Sequence, residues 1–296
     1  MRTFRSLLFV PGHKPDWVDK AVRAGADAVI LDLEDSVPEN SKNDARGHVA
    51  ETIERLSREA GSIGILVRPN AFDTDHFAAD LESVVRPGLD GLLVPKLRDE
   101  NDIHKLDGVL TFLEVRHHLP RGTVELVPSL ETAGSVANAH QLARSPRVTT
   151  LQTATARDGD IARELGFRWS AGGLETVAFR SNAILACRSN GLHHPLCGVW
   201  QEISDIEGLR AFATQNRNLG FRGQLVLHPS HVPVVNDIYS VSSSELARAQ
   251  RLIAAFELAV DSGSAAAMFE GEHIDVAHVK TSRDLIDLAR RQENQA

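Results

Sequence analysis

The chain has 296 residues, which is enough for one large α/β domain and a small appendage but short for two equal domains. Its 32 Lys and Arg residues face 40 Asp and Glu residues, a formal net charge of −8, which argues against nucleic acid or an anionic membrane surface as a partner. No apolar run approaches the roughly 20 residues of a membrane span, and Cys187 and Cys197 are too few for a disulfide framework, so we expect a soluble cytoplasmic protein.

Eight short apolar segments predict β-strands, because strands of a buried parallel sheet have continuous apolar runs. They are residues 5–10, 27–33, 63–68, 89–95, 124–130, 147–153, 192–199 and 223–228. Helical periodicity is found between most of them, at 44–59, 75–85, 102–117, 134–143, 174–189 and 206–218. This alternation predicts an α/β fold, a closed (β/α)8 TIM barrel over residues 1–240, with an open doubly wound sheet as the alternative.

The alternation ends near residue 240. The pattern of residues 241–260 predicts a helix capped by Ser242 to Ser244, and a Gly- and Ala-rich link follows it. Residues 274–291 have the pattern of a second amphipathic helix. We therefore expect residues 241–296 to form a C-terminal helical extension.

Two carboxylates follow neighbouring predicted strands. Glu131 closes the segment at 124–130, and Asp160 comes after the segment at 147–153. In a parallel barrel the carboxyl ends of the strands share one rim, where barrel enzymes place their catalytic residues. Carboxylates without matching His or Cys ligands suit a hard ion such as Mg²⁺. The alternative is that each carboxylate caps the helix that follows it.

A charged group also ends the second and third predicted strands. Arg68 offers a planar fork of donors that suits a substrate carboxylate, and its alternative is a structural ion pair with Asp32, Glu34 or Asp35. Because a strand alternates its side chains between two faces, these three carboxylates cannot all enter one pocket. We expect Glu34 and Asp35 to hold metal-bound water or to pair with Arg68, or else to cap the next helix.

Four further residues stand at predicted strand ends. Gly12, after Pro11, would let a ligand approach the backbone closely, although an ordinary turn also explains it. Lys96 and His228 are either structural residues of the rim or substrate contacts. Pro11, Gly12 and Lys96 are therefore candidate substrate-binding residues.

Short motifs occur in a fixed order along almost the whole chain. They are RSLLFVPG at 5–12, GADAVILDLED at 25–35, VRPN at 67–70, VPK at 94–96, LETA at 130–133, DIARELG at 160–166, LHPSHV at 227–232 and GEHID at 271–275. The ordered set resembles the citrate lyase beta subunit-like proteins. These belong to the wider aldolase and citrate lyase superfamily, which includes malyl-CoA and citramalyl-CoA lyases.

The resemblance implies a fold, a cofactor and an assembly. It implies a (β/α)8 barrel that is usually a homotrimer, with Mg²⁺ held by Glu131 and Asp160 and the substrate carboxylate bound by Arg68. It also implies that Asp275, in the tail, reaches an active site, which in relatives is that of a neighbouring subunit.

The chain departs from the family pattern in two places. Relatives usually carry a glycine three residues before the metal aspartate, where this chain has Arg157, and Asp158 is a rival to Asp160 as the ligand. The seventh strand, which usually ends in an Ile-Asp pair, reads HHPLCG at 193–198. A charged Arg157 would alter or neutralise the metal site, and both departures leave the substrate's identity open.

Together these features predict a Mg²⁺-dependent carbon-carbon lyase that cleaves or forms a 3-hydroxyacyl thioester. The small-molecule substrate would be a CoA thioester, and the products an acyl-CoA and a keto acid. We expect Asp275 to act as acid or base, supported by Glu34 and Asp35. The alternatives are a metal-dependent aldolase of free 2-keto-4-hydroxy acids and a non-catalytic barrel that binds an acyl thioester.

Overall fold

The computed structural model describes residues 2–59 and 63–293, which separate into two compact units. The larger unit ends at Tyr239 and the smaller one begins at Ser240. Among the described residues, no helix combines the length and the apolar content needed to cross a membrane.

In the described part of the larger unit, eight parallel strands pair in chain order and close into a barrel, because β1 pairs with both β2 and β8. The strands are β1 (Ser6–Pro11), β2 (Ala28–Asp32), β3 (Gly64–Arg68), β4 (Gly91–Val94), β5 (Glu125–Leu130), β6 (Gln152–Thr153), β7 (Leu196–Cys197) and β8 (Gly223–Val226). Each of β2 to β8 lies within one predicted segment, and β1 extends one residue beyond the segment at 5–10. The (β/α)8 barrel is confirmed and the open doubly wound sheet is wrong.

Helices fill the intervals between the strands and follow the last one. They are α1 (Trp17–Arg23), α2 (Lys42–Arg58), α3 (Phe77–Val84), α4 (Glu100–Arg116), α5 (Ala133–Ala137), α6 (Ala139–Leu142), α7 (Asp160–Leu165), α8 (Leu174–Ser189), α9 (Ile206–Leu219) and α10 (Val232–Tyr239). The predicted helix at 134–143 is in fact two short helices, α5 and α6, since the chain leaves helical geometry at Asn138.

Both faces of the strands are buried, which explains their continuous apolar sequence. Alternate residues fill the inside of the barrel: Leu7, Ala28, Ile30, Leu66, Leu93, Val127, Leu196 and Leu225. The residues between them, such as Leu8, Val29 and Val67, pack outward against the helices. The two-residue period of a strand therefore decides which side chains reach the interior.

The smaller unit contains α11 (Ser243–Asp261), β9 (Ala267–Phe269), β10 (Glu272–Ile274) and α12 (Val276–Glu293). Ser242 and Glu245 form a capping box that starts α11. The Gly- and Ala-rich link leads into an antiparallel hairpin of β9 and β10, which the sequence pattern did not predict. Its two-residue turn has positive φ at Glu270 (50°) and Gly271 (86°), as type I′ hairpin turns require.

A buried ion pair ties α4 to the segment between α6 and β6. Glu114 Oε1 lies 2.7 Å from Arg147 Nη1, and the Glu114 carboxylate also accepts the N–H groups of Gly122 and Val124. Glu114 is fully buried and the Arg147 side chain is 5% exposed. Burial of both charges makes each of them dependent on the other.

We predict that Glu114→Gln lowers the free energy of unfolding by about 3 kcal/mol, because the substitution leaves Arg147 buried without its main counter-charge. Urea denaturation monitored by circular dichroism measures the loss. The matched control is Glu82→Gln, which breaks the exposed ion pair with Arg116 and should cost less than about 1 kcal/mol. Equal losses in the two variants would contradict this prediction.

Candidate active site

The strand period brings charged side chains to the inside of one barrel end. Ile30 and Leu66 face the interior, so Asp32 and Arg68, two residues later on the same strands, face it too. Val127 on β5 likewise places Ser129 inward. These positions lie at the carboxyl ends of the strands, the end at which barrel enzymes bind their substrates.

Arg68 and Asp32 form a bidentate ion pair between β3 and β2. Nε lies 2.6 Å from Oδ1, and Nη2 lies 2.7 Å from Oδ2. Burial alone would raise the pKa of Asp32, but the Arg68 guanidinium and the hydrogen bonds from Ser36 and the Glu34 N–H hold it below its usual value. The Arg68 guanidinium also lies over the Phe9 ring, 4.9 Å from its centroid. The arginine is therefore fixed and permanently charged.

Glu34 joins the same network from the loop after β2. Its Oε2 lies 3.2 Å from Arg68 Nη1, and its Oε1 lies 2.8 Å from Lys96 Nζ. Burial raises the pKa of Glu34, against the opposing effects of Arg68 and Lys96. Asp35 is exposed and acts on Glu34, Arg68 and Lys96 through its charge. The structure thus brings Glu34 into the cluster and leaves Asp35 at its edge.

Glu131 is a partly buried carboxylate rather than a helix cap. Thr132 caps α5 instead, in a capping box with Ser135. Glu131 Oε1 accepts the backbone N–H of Lys96 at 2.9 Å, and Ser129 Oγ lies 3.0 Å from Oε2. Burial, and then the charge of Glu34, raises the pKa of Glu131 to about 7.

Lys96 has the left-handed backbone conformation, with φ of 56°, which is costly for a residue with a side chain. In this conformation its amide reaches Glu131 while its ammonium reaches Glu34. The same ammonium interacts electrostatically with Asp160. Lys96 therefore connects the carboxylates that follow β2, β5 and β6.

Asp160 is the first residue of α7, and Gly159 occupies the cap position. Its Oδ1 pairs with Arg163 Nη2 at 2.8 Å on the same helix. The rival ligand Asp158 is exposed and has a φ of 55°. Of the two rival ligands, Asp160 is therefore the one that interacts with Lys96.

Arg157 contacts two neighbours, one with its guanidinium and one with its backbone. Its guanidinium stacks over Trp169, 4.8 Å from the ring centroid. Its backbone N–H donates to the Gln201 side chain at 2.5 Å, and its carbonyl accepts from Gln201 Nε2 at 3.2 Å. These contacts tie the loop after β6 to the loop after β7.

The donor set fits a hard divalent cation. The carboxylates of Asp32, Glu34, Glu131 and Asp160 outnumber the cations Arg68 and Lys96, and burial, followed by the charge of Glu34, raises the pKa of Glu131. Among residues 2–59 and 63–293, no three His, Cys, Asp or Glu side chains form a complete metal cage. Mg²⁺ is commonly bound by two carboxylates, while water and substrate complete its coordination shell.

A buried polar network supports the loop that carries Glu34. Lys42 Nζ donates to the carbonyls of Leu33 (3.0 Å) and Glu34 (3.1 Å) and to Asn70 Oδ1 (2.6 Å). Asn70 also donates to the Leu33 carbonyl and to the buried Asp80 carboxylate. Lys42 therefore fixes the backbone on which Glu34 stands.

Gly12 is required by packing at the end of β1. Its N–H donates to the Asp32 carbonyl at 2.7 Å, and a Cβ at this position would lie 2.7 Å from that oxygen and 2.9 Å from Val49. Pro11, the last residue of β1, pairs in register with Asp32. Both residues therefore border the ion pair of Asp32.

Two further candidates lie outside this cluster's hydrogen bonds. His228 Nδ1 contacts the hydroxyl of Ser230 at 2.7 Å and accepts its N–H, so it caps the short 3₁₀ turn after β8. Asp275 lies in the smaller unit, directly before α12, where it pairs with His278.

The sequence reasoning passed over Asp32 and Ser129 as individual site residues. The available signal was the two-residue period, since Ile30 and Val127 are apolar positions two residues earlier on the same faces. Ser129 also donates toward Gln152 Oε1 at 2.6 Å, which links β5 to β6 below Glu131.

Comparison with known proteins identifies the family. Residues 5–229, which are 225 of the 296 residues, match the HpcH/HpaI aldolase/citrate lyase family. The chain belongs to this family. The predicted resemblance is thereby confirmed, and family membership extends over the whole barrel and its site.

The chain is similar to a thioesterase and to a citrate lyase subunit beta-like protein. A (3S)-malyl-CoA thioesterase of Cereibacter sphaeroides is 34% identical over 96% of this chain and 93% of its own length. A citrate lyase subunit beta-like protein of Deinococcus radiodurans is 33% identical over 95% of this chain and 96% of its own.

The chain is also similar to a solved structure over almost its whole length. CitE of Mycobacterium tuberculosis, in complex with magnesium, acetoacetate and coenzyme A, has a TM-score of 0.75 and 28% identity. The match covers 97% of this chain and 98% of that one.

We predict that Glu131→Gln changes the pH dependence of stability in the presence of EDTA. The folded protein holds the Glu131 proton more tightly than the unfolded chain does, since its pKa rises from 4.5 to about 7. The wild-type fold therefore loses up to about 3 kcal/mol as pH rises from 4 to 8. The variant, having no charge to bury, should gain on the wild type by that amount.

Urea denaturation at pH 5 and pH 8.5 measures this gain. The control Glu51→Gln removes an exposed carboxylate of α2 and should differ from the wild type by the same small amount at both pH values. If the difference between Glu131→Gln and the wild type does not change with pH, Glu131 is not a destabilising buried charge.

Proposed function

We propose that the chain is a Mg²⁺-dependent carbon-carbon lyase that cleaves a 3-hydroxyacyl thioester of coenzyme A into an acyl-CoA and a keto acid, or runs in reverse. The observation that carries the proposal is the carboxylate cluster of Glu34, Glu131 and Asp160, joined through Lys96 beside Arg68. The ligands of the CitE structure, magnesium, acetoacetate and coenzyme A, support the same chemistry.

Glu131 and Asp160 are the residues that would hold the ion. Bound Mg²⁺ supplies Lewis-acid stabilisation of the negative charge that develops on substrate oxygens. Glu131 suits this role because a nearby cation would relieve the cost of ionising a buried carboxylate. Arg157 leaves the site's charge unchanged in this proposal, since its guanidinium lies on Trp169.

Arg68 would bind the substrate carboxylate. Asp32 fixes one edge of the guanidinium through two short contacts, whereas the Nη1 contact with Glu34 is longer, at 3.2 Å. A substrate carboxylate would share or replace that longer contact. Pro11, Gly12 and Lys96 border the same place and would contact the rest of the substrate.

The proton transfer is assigned to Asp275. Its carboxylate would accept the proton of the substrate hydroxyl as the carbon-carbon bond breaks, so that a keto acid leaves and the enolate of the acyl thioester takes up a proton. Following the family resemblance, we propose a homotrimer in which Asp275 serves a neighbouring subunit. Glu34 and Asp35 would support Arg68 and Lys96.

We predict that Glu131→Ala and Asp160→Ala each reduce Mg²⁺-dependent cleavage by at least about a hundredfold, because each removes a ligand of the ion. Turnover of a malyl or citramalyl thioester of CoA measures the effect, and far-UV circular dichroism checks the fold. Asp158→Ala is the matched control on the same loop and should retain activity. An inactive Asp158→Ala beside an active Asp160→Ala would move the ligand to Asp158.

Hydrolysis of the thioester is the second candidate, and the 34% identity with a (3S)-malyl-CoA thioesterase favours it. Products separate the two reactions. We predict that (3S)-malyl-CoA with Mg²⁺ yields glyoxylate and acetyl-CoA, detected with an aldehyde reagent and by chromatography. Release of malate and free CoA thiol without aldehyde would replace the lyase with a thioesterase.

Two further measurements test the remaining alternatives. Cleavage of a free 2-keto-4-hydroxy acid but not of its thioester analogue would indicate an aldolase. Binding of the thioester without turnover or magnesium uptake, measured by calorimetry, would indicate a non-catalytic barrel.

A further inference from the structure

The smaller unit holds a carboxylate–imidazole pair at the start of α12. Asp275 Oδ1 lies 2.9 Å from His278 Nδ1 and accepts the N–H of Ala277 at 2.8 Å. The backbone N–H of Asp275 points at the same imidazole nitrogen, 3.2 Å away. His278 thus meets both the main chain and the side chain of Asp275.

One nitrogen cannot serve both contacts in the same state. With a proton, Nδ1 donates to the Asp275 carboxylate; without one, its lone pair accepts the Asp275 N–H. The imidazole therefore holds the carboxylate whenever Nδ1 carries a proton, as it does in the imidazolium and in the neutral Nδ1–H tautomer. The hydrogen bond from His278, followed by that from the Ala277 N–H, lowers the pKa of Asp275 below its usual value.

The neighbouring cation, Arg248, pairs with other carboxylates than Asp275. His278 lines a cavity of about 260 Å³ with Arg248, Leu252, Ala277, Thr281 and Ser282. Arg248, the other cation there, pairs with Glu270 at 2.8 Å and with Glu272 at 3.4 Å. Arg248 therefore pairs with carboxylates of the hairpin, and Asp275 is the carboxylate that contacts His278.

We propose that His278 is a positioning residue for Asp275: the Nδ1–H of its imidazole holds the carboxylate ionised and oriented to receive the substrate's hydroxyl proton. The inference rests on the proposed function, in which Asp275 transfers that proton. It predicts that kcat falls when the side chain at position 278 has no donor for the carboxylate. KM should not follow, because neither residue binds the substrate carboxylate.

The experiment measures kcat and KM of the full-length protein with Mg²⁺ and the thioester substrate. His278→Ala removes the donor and should lower kcat at least about tenfold while KM stays unchanged. His278→Asn keeps a donor near Asp275, so its kcat should return close to the wild-type value.

Two further variants make the result decisive. His273→Asn removes an exposed histidine of β10 and should keep the wild-type kcat. If His278→Ala also keeps it, or if His278→Asn loses as much kcat as His278→Ala, the inference is overturned. Asp275→Asn separates the two levels: an active Asp275→Asn refutes the proposed role of Asp275, whereas an inactive one beside a wild-type kcat for His278→Ala refutes the role of His278 alone.

Discussion

The ion pair between Arg68 and Asp32 is the interaction on which the rest of the site depends. It joins β2 to β3 inside the barrel, and its net neutrality allows two charges to be buried among apolar strands. Arg68 can then extend a contact to Glu34, and Glu34 in turn holds Lys96. Without the pair, the carboxylates beyond it would have no buried cation to organise them.

The barrel was predictable because its strands are buried on both faces and so are continuously apolar. Segments such as Ile65–Val67 and Leu126–Leu130 carry this signal clearly, and the charged residues that end them mark the rim. β6 and β7 were predicted too long, because their ladders are only two residues each. The hairpin of the smaller unit was missed because three-residue strands beside glycine and alanine give no period to detect.

The site was predictable as a set of residues but not as a set of contacts. Sequence spacing placed Glu131 and Arg68 at strand ends, yet it left caps and ion pairs open as alternatives. The fold separates them: Thr132 caps the helix and leaves the partly buried Glu131 free of that role, while Arg68 does form the ion pair that was considered. Contacts between distant segments, such as Lys42 with Asn70, depend on packing that no local pattern encodes.

The conformation of Lys96 has a consequence for how this position can vary. A glycine would adopt its left-handed backbone freely and would spare the fold a strain of about 1 kcal/mol or more. It would also keep the amide directed at Glu131, but it would release Glu34 from its ammonium partner. Lysine at position 96 therefore costs conformational stability but supplies a positive charge beside Glu34. Replacing it with glycine would stabilise the backbone and leave the carboxyl end of the barrel more negatively charged.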